Sequence, residues 1–176
     1  RKKSAKEFQP IDLNEIIDLR KQDRSKWYFP LVVAGNEMMY KATADGRYSI
    51  YHYEAAIASE HLRAKKFEDT DWDSILKWYR LLQNVAPSPF NLLNMAVVNL
   101  QQEDYTSSKE KLDGIVIEEL GQRAYLYHGC LGQYCWKTGN HAAALVEYDL
   151  AIDLVTNKSE RRYLIDKRAK IERDWD

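Results

Sequence analysis

Apolar residues recur along this chain at helical spacing, and the breaks between the blocks are sharp. Pro30 fits the first position of a helix, because proline needs no hydrogen-bond partner there, so the pattern predicts a helix over about Pro30 to Ala42, with Trp27 in the turn before it. Asp45-Gly46 marks a turn. Tyr51, Ala55, Ala58 and Leu62 then share one face of a block over Tyr48 to Ala64. A polar stretch, Lys65 to Asp69, precedes a helix with Asp71 as N-cap and Ile75, Leu76, Tyr79 and Leu82 inside. It must stop before Pro87, because the residue ahead of a proline resists helical backbone angles. Ser88 caps the next block, with Pro89 at its first position, and that block runs to about Gln102. Asp104 opens another, to about Ile117, and Gly121 closes that region. Arg123 to Lys137 is helical up to the Gly139-Asn140 turn, His141 to Val155 follows, and Asn157 or Ser159 caps a last helix. Residues 1 to 22 are irregular, with a basic start and a short extended turn expected at Asp12 to Glu15, and are read as a linker.

Eight helices with short links must pack as antiparallel neighbours. Internal repetition decides how they stack. Tyr125 to Thr156 fits the 34-residue tetratricopeptide template: Leu131-Gly132 in the first helix, Gly139 in the turn, Ala144 at the close crossing, Tyr148 and Ala151 in the seam. Thirty-six residues upstream, Met95-Ala96, Ser108 and Leu112 stand at the same template places, with Ser108 where alanine belongs. The expected architecture is all-α, helix pairs stacked as a tetratricopeptide-like right-handed solenoid. Its units are 48–87, 88–121 and 122–156 with a capping helix over 157–173, all within one domain from 23 to 176.

Only 4 Pro and 7 Gly in 176 residues agree with few loops, and 12 Tyr and 5 Trp supply wide helix interfaces. Charge is balanced at a formal −1, which argues against a chain that coats nucleic acid or anionic lipid. The longest apolar runs, such as Leu92 to Leu100, are half a membrane span. With no visible secretory signal and two cysteines, the expected compartment is the cytoplasm.

No constellation for catalysis, metal or cofactor stands out. Asp69, Asp71 and Asp73 alternate like calcium-loop ligands, but such a loop also needs a mid-loop glycine and a glutamate at position 12, where Ser74 and Arg80 stand. Helix capping is the better account. Cys130 and Cys135 are about 500° apart around a helix and do not share a face, so with His128 they are expected in packing and not around zinc. His52 and His61 lie on opposite faces of one helix, and His61 is placed to hydrogen-bond Asp69 or Asp71. The basic last helix is diluted by Glu160, Asp166, Glu172 and Asp174, as a solvated cap is. The template puts Phe90, Leu93, Val97 and Gln101 of one repeat in the groove, with Leu126, Gly129, Gln133, Trp136 and Lys137 of the next. Phe90 and Trp136 are the candidate anchors for a protein partner.

Several strings occur in order: Gln22-Asp23-Arg24-Ser25-Lys26-Trp27, Ala55-Ala56-Ile57-Ala58-Ser59-Glu60-His61, Asp69-Thr70-Asp71-Trp72, Pro87-Ser88-Pro89-Phe90-Asn91-Leu92-Leu93-Asn94 and Glu160-Arg161-Arg162-Tyr163-Leu164. With them the chain resembles, from about residue 10 onward, the tetratricopeptide-like C-terminal extension of a subgroup of bacterial extracytoplasmic-function sigma factors. The resemblance implies a non-enzymatic regulatory module in transcription initiation. Its partner would be the sigma domains of the same parent chain or RNA polymerase, and DNA would be met only through domains absent from this sequence. A free-standing adaptor that binds peptides is the rival expectation.

Overall fold

The computed structural model describes Arg24, residues 27–42, Ala44, Gly46 and residues 48–175. The linker, with its expected turn, lies outside the described residues, as do Gln22, Asp23 and Asp45. Eight helices and no strand occur among the described residues: α1 (Phe29–Ala42), α2 (Ile50–Arg63), α3 (Trp72–Val85), α4 (Pro89–Gln101), α5 (Tyr105–Asp113), α6 (Ala124–Lys137), α7 (His141–Leu154) and α8 (Lys158–Trp175). The pairs α2/α3, α4/α5 and α6/α7 fall inside the three expected units.

The helix starts follow local chemistry. Asp71, Ser88, Asp104 and Asn140 each accept a hydrogen bond from a first-turn amide, which satisfies donors that the helix itself leaves unpaired. Of the two candidate caps for α8 it is Asn157 that serves, accepting from the amides of Ser159 and Glu160. His52 extends the pattern at α2, where its Nδ1 accepts the Ser49 amide at 2.9 Å.

Two stretches differ from expectation. The polar segment before α3 contains a short 3-10 turn at Phe67–Asp69. Helix α5 ends at Asp113, not near Ile117, because Gly114 closes it by donating to the Glu110 carbonyl. Ile115 leaves the helical period to pack in the core, and a 3-10 segment over Ile117–Arg123 follows. That segment is broken at Gly121, whose φ of 52° favours glycine.

The core is a row of three seams rather than one centre. Ile57, Ile75, Leu76, Leu82, Met95 and Val98 join α2, α3 and α4. Leu93, Ala96, Leu100, Leu112, Ile115, Leu120 and Cys130 join α4, α5 and α6. Ala144, Tyr148, Ala151, Val155, Leu164 and Ile171 hold α7 and α8 together, with Cys135 and Trp136 of α6 against them. Helix α4 thus buries two faces, which is why its apolar residues run almost all round. The two cysteines fall on opposite sides of α6, one in each seam.

The thirty-six-residue spacing has a counterpart in the contacts between paired helices. Gly132 of α6 faces Ala144 and Tyr148 of α7, while nearer the start of α6 His128 meets Glu147 at 2.8 Å. Contacts that climb one helix while descending the other define an antiparallel pair. Thirty-six residues earlier, Ser108 of α5 is fully buried and its Oγ donates to the Ala96 carbonyl of α4 at 3.0 Å. Serine fits the alanine place because its hydroxyl finds a partner on the facing helix.

The two ends of the array differ. Helix α8 covers the last seam with Leu164 and Ile171 and turns Arg161, Arg162 and Asp166 outward. Helix α1 meets α2 through the Asn36–Ser59 side-chain hydrogen bond of 2.9 Å and leaves Leu31, Met38 and Tyr40 exposed. No helix among the described residues is long and apolar enough to cross a membrane.

Candidate interaction cleft

A cleft of about 430 Å³ opens where α2, α3 and the start of α4 meet the residue just ahead of α6. Its apolar lining is Ile50, Ile57, Leu82, Ala86 and Phe90. The polar groups around it are Glu54, Tyr79, Ser88, Asn91, Asn94 and Arg123. The Ser88 cap and Pro89 fix where α4 begins and so place Phe90 and Asn94 one helical turn apart on the cleft side. Asn91 is buried, with its amide donating to the Ala86 carbonyl at 2.9 Å, so it ties the α3–α4 turn and is not free to meet a partner.

The Arg123 guanidinium carbon lies 5.7 Å from the centre of the Phe90 ring, a cation–π contact that holds the arginine over the cleft. On the α2–α3 side, Tyr79 is largely buried and its phenol titrates above the usual range, first through burial and then through the nearby Glu54 charge. Neither Glu54 nor Arg123 has an ion-pair partner among the described residues. The cleft therefore presents an apolar floor, one anion, one cation and the exposed Asn94 amide. It lacks a paired nucleophile and base.

The groove expected from the template is only partly assembled. Phe90 and Asn94 line the cleft. Leu93 does not: it is 4% exposed and fills the α4–α6 seam. Val97 is half-buried against the same seam. Trp136 packs with α7 and α8, and Lys170 Nζ sits 5.0 Å above its ring. Phe90 and Trp136 thus belong to different seams and do not form one pair of anchors. Lys137 is exposed at the last position of α6. Glu54, Tyr79 and Arg123, like the apolar Ile50, Ile57, Leu82 and Ala86, are cleft residues that the sequence did not mark as a binding surface. The single available signal was Arg123 beside Gly121, where the chain must turn.

The residues of the family strings meet elsewhere, at the C-terminal end of α2. Arg24 Nη1 donates to the carbonyls of His61 and Ala64, at 2.9 and 2.7 Å. The His61 ring stands edge-on to Trp72 with centroids 5.6 Å apart, and Trp72 packs on Phe67 at 5.3 Å. Trp27 lies under the Arg24 guanidinium at 5.1 Å. The expected hydrogen bond from His61 to Asp69 or Asp71 is not formed. Asp71 instead accepts from the amide and hydroxyl of Ser74, at 2.9 and 2.8 Å, which holds its carboxyl below the usual carboxylate range. Asp69 is an exposed residue ending the 3-10 turn. The aspartate alternation is thus read out as capping of α3.

No family model matches the chain, and no solved structure matches it. It is 34% identical over 152 residues to an uncharacterized protein of Rhizobium meliloti, an alignment that covers 85% of this chain and 35% of that protein. The chain spans about a third of the length of this curated relative.

Proposed function

We propose that the chain is a protein-interaction module and that the cleft around Phe90 and Arg123 is its working surface. As the resemblance implies, it is the C-terminal regulatory part of a bacterial extracytoplasmic-function sigma factor, acting in transcription initiation in the cytoplasm. The observation that carries the interaction reading is the cleft itself: apolar floor, opposed unpaired charges and an exposed amide, with no catalytic pairing beside them. Support for the sigma-factor setting comes from the strings behind the resemblance. Arg24, His61 and Trp72 lie in three separate strings and form one cluster in the fold, so the strings read as parts of one structural unit. The partner is another domain of the parent protein or a surface of the polymerase. DNA is met by domains outside this chain. The reading assigns the module no cofactor and no chemical step.

The test is site-specific photocrosslinking. A benzoyl-phenylalanine at Asn94, in a full-length parent assembled with polymerase, should crosslink to protein: a sigma domain or a polymerase subunit. Crosslinking to promoter DNA, or to no macromolecule while a control position on the parent crosslinks, would defeat the reading.

A further inference from the structure

The polar groups of the cleft are of two kinds. Ser88 accepts the Phe90 amide and Asn91 donates to the Ala86 carbonyl, so both are committed to the α3–α4 turn. Glu54 and Arg123 are not committed in this way. Both are exposed, neither has an ion-pair partner among the described residues, and they are not within ion-pair distance of each other. Yet both line the same cleft. Glu54 stands on the α2 wall, near enough to Tyr79 for its charge to raise the phenol's pKa. Arg123 stands on the wall ahead of α6, held over the Phe90 ring. An apolar floor displaces water from whatever rests on it, and charges lining such a cleft are screened less than on an open surface. A purely apolar segment seated there would leave both charges partly desolvated and unpaired. A segment of one charge sign would find a partner on one wall and a like charge on the other. A segment that carries both signs around an apolar residue matches both walls.

We propose that Glu54 and Arg123 are the specificity determinants of the cleft, and that its occupant is a protein segment with a bulky apolar residue between a cation and an anion. The cation faces Glu54 on α2. The anion faces Arg123, whose fork suits a carboxylate at two points. The exposed Asn94 amide offers one donor group and one acceptor to the main chain of the segment. A volume of about 430 Å³ lies toward the small end of ligand clefts, roughly 300 to 1,000 Å³, and suits a short segment. The proposal rests on the reading of this cleft as the working surface and adds what the cleft selects. It does not depend on the sigma-factor setting.

Selection from a phage-displayed library of random linear peptides on the whole chain, followed by affinity measurements on synthetic copies of the selected peptides, tests this. The selected peptides should share a bulky apolar residue with a basic residue on one side and an acidic residue on the other. Glu54→Lys and Arg123→Glu should each weaken binding roughly fivefold or more. Reversing the matching charge on the peptide should regain most of that loss. Both positions are exposed, so these variants should keep the fold, which a melt checks. Phe90→Ala, or Phe90→Leu should the first not fold, should weaken the same peptides whatever their charges. Peptides that depend on Phe90 but lack the paired charges, or that ignore both reversals, overturn the proposal and leave the cleft as an interaction surface. Peptides indifferent to Phe90 and to both charges overturn it too, because they bind elsewhere. So does a library that yields no binder, and crosslinking at Asn94 then decides the cleft reading by itself.

Discussion

Gly132 and Tyr148 are in such close contact that a Cβ on the glycine would stand 2.7 Å from Cδ2 of the ring and 2.9 Å from Cε2. Tyr148 is 3% exposed and held by its seam, so the ring has nowhere to go. Gly132→Ala should therefore destabilise the chain by about 1 to 3 kcal/mol in denaturant melts, from overpacking, despite the roughly 1 kcal/mol by which alanine improves a helix interior. Gly129 on the same helix is the control. A Cβ there meets only the flexible end of Leu164 at 3.5 Å, so Gly129→Ala should be neutral or stabilising. The reverse order would mean that the α6–α7 crossing is wrong.

Ala144 makes the same point from the other helix. It is fully buried at the crossing, and Ala144→Leu should cost roughly 1 to 3 kcal/mol. At the equivalent place in the preceding pair, Ser108→Val adds a methyl group and removes the hydroxyl that serves the Ala96 carbonyl. A comparable loss is expected in the same melts, and an unchanged midpoint for both would reject the shared geometry.

The helix limits were legible because they are set locally. A cap such as Asp71 or Asp104 needs only an amide three residues on, and a proline acts on its own neighbour. The two close crossings, Gly132 with Ala144 and Ala96 with Ser108, were legible because small residues recur at one spacing. The end of α5 was not, since Ile115 and Ile117 continue an apolar run that the fold uses outside the helix. The cleft was only partly legible because it draws on four segments distant in sequence. That Trp136 packs with α7 and α8 was not legible for a related reason. Helix α6 is apolar nearly all round, so its pattern cannot say which face meets α7 and α8. The strings around Arg24, His61 and Trp72 were visible as words, but their meeting at one helix end appears only in three dimensions.

The His61 environment predicts a pH dependence with a definite sign. Its folded pKa lies below the ordinary histidine value, through burial and then the Arg24 charge, so between the folded and the unfolded pKa the unfolded chain binds more protons. Stability should then fall as pH drops below about 6.5. Asp71 has a depressed pKa, so its contribution is present above the unfolded carboxylate range and is lost only at lower pH, below about 4. Melting midpoints across pH 4.5 to 7.5 should slope for the native chain and flatten for His61→Gln. Parallel slopes for the two proteins would refute the assignment.

The two cysteines should differ in reactivity. Cys130 is buried in the α4–α6 seam, which pushes its thiol up to about 12. Cys135 is half-buried, and its thiol is raised by burial first and then by Glu147. A thiolate-directed reagent at pH 8 should label Cys135 slowly and Cys130 only after unfolding. Mass spectrometry of the labelled peptides checks this, and labelling of Cys130 first would show that the seam opens.

The central claim is that the cleft is where this module meets its partner, and the most direct measurement is promoter-directed transcription in vitro by a full-length parent carrying Phe90→Ala with Arg123→Ala. Both side chains line the cleft; Arg123 is exposed and Phe90 is half-buried at the start of α4, so a melt of the same protein must show that the module stays folded. Removing an anchor of this kind typically costs 2 kcal/mol or more, about thirtyfold in affinity. The account predicts a folded double variant with strongly reduced transcription at limiting parent concentration. Full transcription from a folded double variant would contradict it.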